Sequence, residues 1–141
     1  MGTAFLTTNQ QRIWNYPDQH YSRGVAKNDA TNRRFKAVAR ILKRIRYEML
    51  DDGIALAEQV TSFELESLVW NVPDPYFVAE ELRTAARNVI AYLRVNTAGD
   101  DACRGWSEVN GIKNLWRCGQ PWNRQRAYEF LNAAARYAGL L

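Results

Sequence analysis

The sequence predicts a mainly α fold, a helical bundle of about five helices with a short N-terminal β-hairpin. Three observations lead there. Apolar residues recur at helical spacing through most of 31–137, β-prone runs are confined to 3–16, and 141 residues with 47% hydrophobic content are enough for one core.

Residues 3–16, "TAFLTTNQQRIWNY", hold two β-prone runs around a polar turn and read as the hairpin. A lone hairpin is marginally stable, so this one wants a sheet that the rest of the chain does not supply. Pro17 then ends the extended run, and "DQHYSRGVAKND" carries the turn and breaker residues of a linker. Residues 1–30 therefore read as hairpin plus linker, and 31–141 as the helical domain.

From Thr31 the apolar residues Phe35, Val38, Leu42, Ile45 and Met49 form a helical stripe, widened by Ile41 and closed by Asp51–Gly53. A loop leads to a second helix near Thr61. Asp74 and Pro75 offer an N-cap and a first-turn proline for a third, whose stripe is Val78, Leu82, Ala85, Val89 and Leu93. "AGDD" at 98–101 breaks it. A shorter helix is expected around "EVNGIKNLW", and a last one from Asn123 to Tyr137, with Gly139 as its C-terminal cap. Trp70, Trp106, Trp116 and Trp122 fall on or beside apolar stripes and read as core, whereas Trp14 in the hairpin is undecided.

Composition narrows the chemistry. No apolar run approaches the roughly 18 residues of a membrane span, and no signal segment is evident, so a cytosolic protein is expected. Cys103 and Cys118 lack zinc-site spacing and read as free thiols in a reducing compartment. The one histidine, His20, is given no catalytic role. There is no Asp-x-Asp, no glycine-rich phosphate loop and no nucleophile elbow. Glu64 and Glu66 lie about 200° apart on a helix and cannot share a metal. The chain is expected to bind rather than to catalyse.

Two features could bind. In "TSFELESLVWNVP", Thr61 and Glu64 make a capping box and Val60 and Leu65 a hydrophobic staple, which makes Ser62 the first helical residue. Ser62 and Glu66 both fall inside the apolar arc and should be at least partly buried. Glu66 then needs a basic partner, most simply from the preceding helix. Ser62 is either a capping hydroxyl or, with the amides around it, a receiver for an anion at the helix N-terminus. The preceding helix carries Lys36, Arg40, Lys43 and Tyr47 on one face, flanked by Arg33 and Arg44. Such a strip is either a solvated surface or a phosphate-binding face for a nucleotide or a nucleic-acid backbone. The net charge of +4 permits a polyanionic partner without demanding one.

The order of four segments adds a resemblance. "GTAFLTTNQQRIWNYPDQHYSRGVAKNDATNRRFKAVARILKRIRYEM", "TSFELESLVWNVP", "WSEVNGIKNLWR" and "PWNRQRAYEFLNAAARYAGL" together resemble the C-terminal part of bacterial CD-NTase-like nucleotidyltransferases, relatives of cyclic GMP-AMP synthase and oligoadenylate synthase. The likeness covers nearly the whole chain. It implies the helical half of such an enzyme, preceded by the last hairpin of a catalytic core that carries a Gly-Ser motif and metal-binding acids. This chain has no Gly-Ser dipeptide, so the resemblance implies that it is inactive alone. Magnesium and nucleoside triphosphate are expected of the intact enzyme, not of this chain's own side chains.

By motif match, the resemblance assigns donor-triphosphate contacts to Lys43 in "RILKRI" and Ser62 in "TSFELE"; the reading of the helix faces adds Lys36 and Arg40 as a supporting basic face and Glu66 as a buried structural partner. Its function would be the making of cyclic or linear oligonucleotide signals in bacterial antiphage defence. Two other classes remain as alternatives: a nucleic-acid-binding module using the Lys36/Arg40/Lys43 strip, and an interaction module whose hairpin edge pairs two copies as a homodimer.

Overall fold

Cap and stripe chemistry place five α-helices among the residues that the computed structural model describes, 17–110, 114–116 and 123–140. They are α1 (Pro17–Ala30), α2 (Arg34–Asp51), α3 (Ser62–Trp70), α4 (Leu82–Thr97) and α5 (Arg124–Tyr137), with turns of 3₁₀ helix at Ala55–Gln59 and Asp74–Phe77. The hairpin predicted over 3–16 lies outside the described residues, as do Trp14, Cys118 and Trp122. None of the described helices is long and apolar enough to cross a membrane.

The α2 stripe is buried as predicted, with Phe35, Val38, Leu42 and Met49 fully inside and Ile45 nearly so. Against it pack α3, α4 and α5, which add Leu65, Leu68, Val89, Leu93, Phe130 and Leu131 to one continuous core. Gly53 takes a positive φ of 78° after α2. At the end of α5, Gly139 (φ 69°) lets the Leu140 amide turn back to the Ala135 carbonyl at 2.8 Å, as a glycine at this position should.

Three expectations need correction. The segment predicted as a linker is helix α1. Its apolar periodicity is weak because polar anchors hold it: Lys27 Nζ donates to the Val72 carbonyl (2.5 Å) and pairs with Asp74 (2.8 Å). Asn28 Oδ1 accepts from the Lys36 amide at 3.0 Å, and the buried Thr31 hydroxyl accepts from the Phe35 amide at 2.9 Å. Gly24 is buried beside Phe35 and Lys36, where a Cβ would make only ordinary van der Waals contacts of 3.6–3.8 Å.

The helix predicted from Asp74 makes only one 3₁₀ turn before α4 starts at Leu82. Asp74 is engaged by Lys27 instead of capping, and Val78, placed in the buried stripe, is 77% exposed. Ala85, Val89 and Leu93 are buried as expected.

The described residues of "EVNGIKNLW" form turns and an antiparallel bridge between Ser107 and Asn114, not a helix. Asn71, at the end of α3, explains this: its side chain donates to the Ser107 carbonyl (2.7 Å) and accepts from the Ser107 amide (3.2 Å). A pairing of that kind holds the backbone extended. Trp106 is buried, and Trp116 packs partly against the core with its indole N–H on the Cys103 carbonyl at 2.9 Å. Trp70 is partly buried beneath Arg23, whose guanidinium lies 6.0 Å from its ring.

Candidate functional site

The site is built where α2 passes the start of α3. Thr61 is the N-cap, its hydroxyl oxygen accepting from the Glu64 amide at 3.0 Å, and the staple residues Val60 and Leu65 are both fully buried. Arg46 of α2 fixes the approach to the cap: its Nε donates to the carbonyls of Ala57 (3.1 Å) and Val60 (2.7 Å). The entry angle of α3 is thus set by a charge on α2 and by two apolar contacts.

Ser62 opens the helix, half-buried, and its hydroxyl makes no hydrogen bond to a described residue. The first amides of a helix have no intrahelical acceptor, and the helix dipole makes that end favourable to anions. Phe63 beside it is 38% exposed, leaving aromatic surface at the same end.

One turn along lies Glu66, only 8% exposed. Its Oε1 pairs with Lys43 at 2.8 Å and its Oε2 with Lys36 at 3.1 Å. Burial pushes this carboxyl up, but the hydrogen bonds and charges of Lys43 and then Lys36 together outweigh it and hold it below its ordinary value. Since Ser62 and Glu66 are an i, i+4 pair, the Lys43 ammonium stands over the same face of α3 on which Ser62 begins.

Lys36, Lys43 and Glu66 are therefore brought together as the sequence suggested. Arg40 is not part of that clasp. It is exposed and lines an open depression of about 450 Å³ with Lys43, Arg44, Tyr47, Glu48 and Asp51. Two lysines of the basic strip are thus held on Glu66, and one of them, Lys43, also lines the depression beside Arg40 and Arg44.

Glu64 is the residue that sequence reasoning undervalued. Assigned to the capping box, it is fully buried, and neither carboxyl oxygen has a partner in hydrogen-bonding geometry. Burial pushes its carboxyl up to about 8, against the lowering effects of the nearby Thr61 amide and the Arg46 charge. A signal was available, because Glu64 stands one turn before the fully buried Leu68 and shares its face. Cys103 is buried too, and burial raises its thiol above the ordinary value, consistent with an unreactive cysteine.

Comparison with known proteins identifies relatives of the fold. Residues 22–139 match the model of the cGAS/DncV-like nucleotidyltransferase C-terminal helical domain. The cyclic dipyrimidine nucleotide synthase CdnE of Legionella pneumophila is 38% identical over 136 residues, which is 96% of this chain and 45% of that protein. The structure of Elizabethkingia meningoseptica CdnE cyclic dinucleotide synthase with GTP and Apcpp superposes with a TM-score of 0.81 at 35% identity, over 87% of this chain and 44% of that one. Rhodothermus marinus CdnE c-UMP-AMP synthase with Apcpp and Upnpp gives 0.76 at 30% identity, covering 89% and 41%. The chain spans less than half the length of each of these relatives. With the match running from within α1 to the end of α5, the chain belongs to the family of cGAS/DncV-like nucleotidyltransferase C-terminal helical domains.

Proposed function

We propose that this chain is the helical half of a cytoplasmic enzyme that joins nucleoside triphosphates into cyclic or linear oligonucleotide signals for bacterial antiphage defence, and that the α2–α3 face holds the donor triphosphate. The observation that carries this reading is the placement of the Lys43 ammonium by Glu66 on the same face of α3 as the Ser62 hydroxyl, which bonds to no described residue. A cation and a helix N-terminus converging on one face favour a polyphosphate. The Elizabethkingia and Rhodothermus relatives, whose structures hold nucleotides, support it by likeness.

In this reading Ser62 and the first α3 amides receive phosphate oxygens, and Lys43 neutralises them. Arg40 extends the positive surface, and Lys36 shares Glu66 so that the carboxylate does not monopolise Lys43. Bond making belongs to a nucleotidyltransferase core acting with this domain. Among the described residues no three His, Cys, Asp or Glu side chains stand where they could hold a metal ion, so no step is assigned to magnesium here.

The test is nucleotide binding to the chain, followed by NMR with ATP and magnesium, and then catalysis when the chain is joined to a catalytic core. Perturbation should centre on Ser62 and Lys43, and Lys43→Ala or Ser62→Ala should each weaken binding about tenfold, the loss of one charge-assisted contact. Unchanged affinity in both variants removes the site. Binding of a nucleic-acid duplex with steep salt dependence, and of no nucleotide, replaces the reading with that of a nucleic-acid module.

A further inference from the structure

The third residue of α3 is a fully buried acid. Glu64 lies two positions after Ser62, and neither of its oxygens has a described partner in hydrogen-bonding geometry, the nearest influence being the Thr61 amide. An acid at this helix position ordinarily reaches back to the N-cap amide and gains from the helix dipole as a carboxylate. Here the carboxyl is fully buried, and burial outweighs the lowering effect of the nearby Thr61 amide. The cation nearest in effect, Arg46, has its Nε committed to the Ala57 and Val60 carbonyls.

Of the charged side chains on the surrounding elements, Lys36, Lys43 and Arg46 are on α2, Glu66 on α3, Glu58 in the 55–59 turn and Glu108 in the loop beyond α4. The charged residues of α4 itself are all arginines, Arg83, Arg87 and Arg94. Among all these, Arg46 is the one whose charge acts on the Glu64 carboxyl, and it is outweighed by burial.

We propose that Glu64 is a positioning residue that stays protonated while α3 holds a triphosphate, so that the helix N-terminus presents its dipole and amides to the ligand without a competing negative charge. This rests on the reading of the α2–α3 face given above. Two anions within one helical turn repel each other, and burial of Glu64 removes one of them by favouring its neutral form. By linkage, an anion bound at Ser62 must raise the proton affinity of Glu64 further. The converse also holds: ionising Glu64 must weaken the anion. The carboxyl sits about 8 in the chain alone, so this coupling falls in the mildly alkaline range.

The experiment compares the full chain with Glu64→Gln, which keeps the shape of the neutral acid. The Glu64 carboxyl carbon is followed by NMR from about pH 5 to about pH 10, alone and with excess ATP and magnesium, and nucleotide affinity is measured at both ends. The expected result is an upward shift of the Glu64 midpoint on adding nucleotide. Between about pH 7 and about pH 9.5, wild-type affinity should fall about three- to tenfold more than that of the variant. A purely structural role would move stability but not this difference. Identical pH profiles of affinity in the two proteins, or a midpoint that nucleotide leaves in place, overturn the inference alone. A Ser62 amide that nucleotide fails to move at any pH overturns the triphosphate reading itself, and this inference with it.

Discussion

The ammonium of Lys43 rests 2.8 Å from Oε1 of Glu66, while Lys36, two turns earlier on α2, takes Oε2 at 3.1 Å. One carboxylate of α3 therefore holds two cations of α2. Replacing it by glutamine leaves two lysines facing each other without their common anion. Because those lysines are 42% and 31% exposed, water screens much of the loss. Glu66→Gln should destabilise the chain by roughly 1–2 kcal/mol near neutral pH, between the values of exposed and buried pairs. The pH dependence has a definite sign. A carboxyl held below its ordinary value stabilises the fold above that ordinary value, and the stabilisation is lost as pH falls through the lowered one. Urea unfolding at neutral and at acid pH should show wild type and variant converging in acid; a constant gap would mean that the pair does not hold the carboxylate.

Glu64 has the opposite sign. Its carboxyl rises from an ordinary 4.5 to about 8 in the folded chain, so the unfolded state gives up its proton first. Stability is full below about 4.5, declines by up to about 1.4 kcal/mol per pH unit, and levels off once the folded carboxyl has also ionised. Glu64→Gln, which has no proton to lose, should follow a flatter curve, matching wild type in acid and exceeding it from neutral pH upward. Thermal melts across pH without any nucleotide are sufficient, and parallel curves would show that Glu64 ionises normally.

What the sequence revealed, and what it hid, divides by range of interaction. The Thr61 cap, the Val60–Leu65 staple, the α2 stripe and the Gly139 turn were legible because each is decided within a few residues by periodicity or cap chemistry. The partner of Glu66 was legible because a buried carboxylate must find a cation and α2 carries the nearest ones. By contrast, α1 was hidden because its anchors are polar and distant in sequence: Lys27 reaches Val72 and Asp74. Asp74 looked like a cap for the same reason, its partner being forty-seven residues away. Glu64 satisfied a capping motif locally, and the motif gave no hint that the carboxyl would be fully buried.

Thr61 and Ser62 are adjacent hydroxyl residues with different work to do, and substitution separates them. Thr61 accepts the Glu64 amide at 3.0 Å, whereas Ser62 bonds to no described residue. Thr61→Ala should destabilise the chain by about 1 kcal/mol, the usual loss of an N-cap. Ser62→Ala should leave unfolding within about 0.5 kcal/mol of wild type, since it removes no internal bond, and weaken triphosphate binding instead. Denaturant curves and nucleotide titration on both variants check the pair. Equal destabilisation would make Ser62 a structural hydroxyl.

Asn71 joins α3 to the loop that follows α4, and its loss should be felt there first. Its amide nitrogen donates to the Ser67 and Ser107 carbonyls at 2.7 Å each, and its oxygen accepts from the Ser107 amide at 3.2 Å. At this length only an amide side chain presents a donor and an acceptor to the carbonyl and the amide of one residue, so even Asp, isosteric but lacking the N–H donors, would leave the Ser107 carbonyl without this bond, while the Ser67 carbonyl keeps the Asn71 backbone amide at 3.3 Å. Asn71→Ala should destabilise the chain by about 1–3 kcal/mol, the range for leaving partly buried backbone groups unsatisfied. It should raise hydrogen exchange at Ser107 and Val109, whose amide leans on Ser67 Oγ at 3.3 Å, ahead of the α2 core. Because Glu66 points to α2 and Ser67, about 100° further round α3, to the 107–109 loop, the Lys43–Glu66 clasp should remain closed and triphosphate binding should change little. Hydrogen exchange that rises evenly over α2, α3 and the loop would instead show that Asn71 supports the whole bundle.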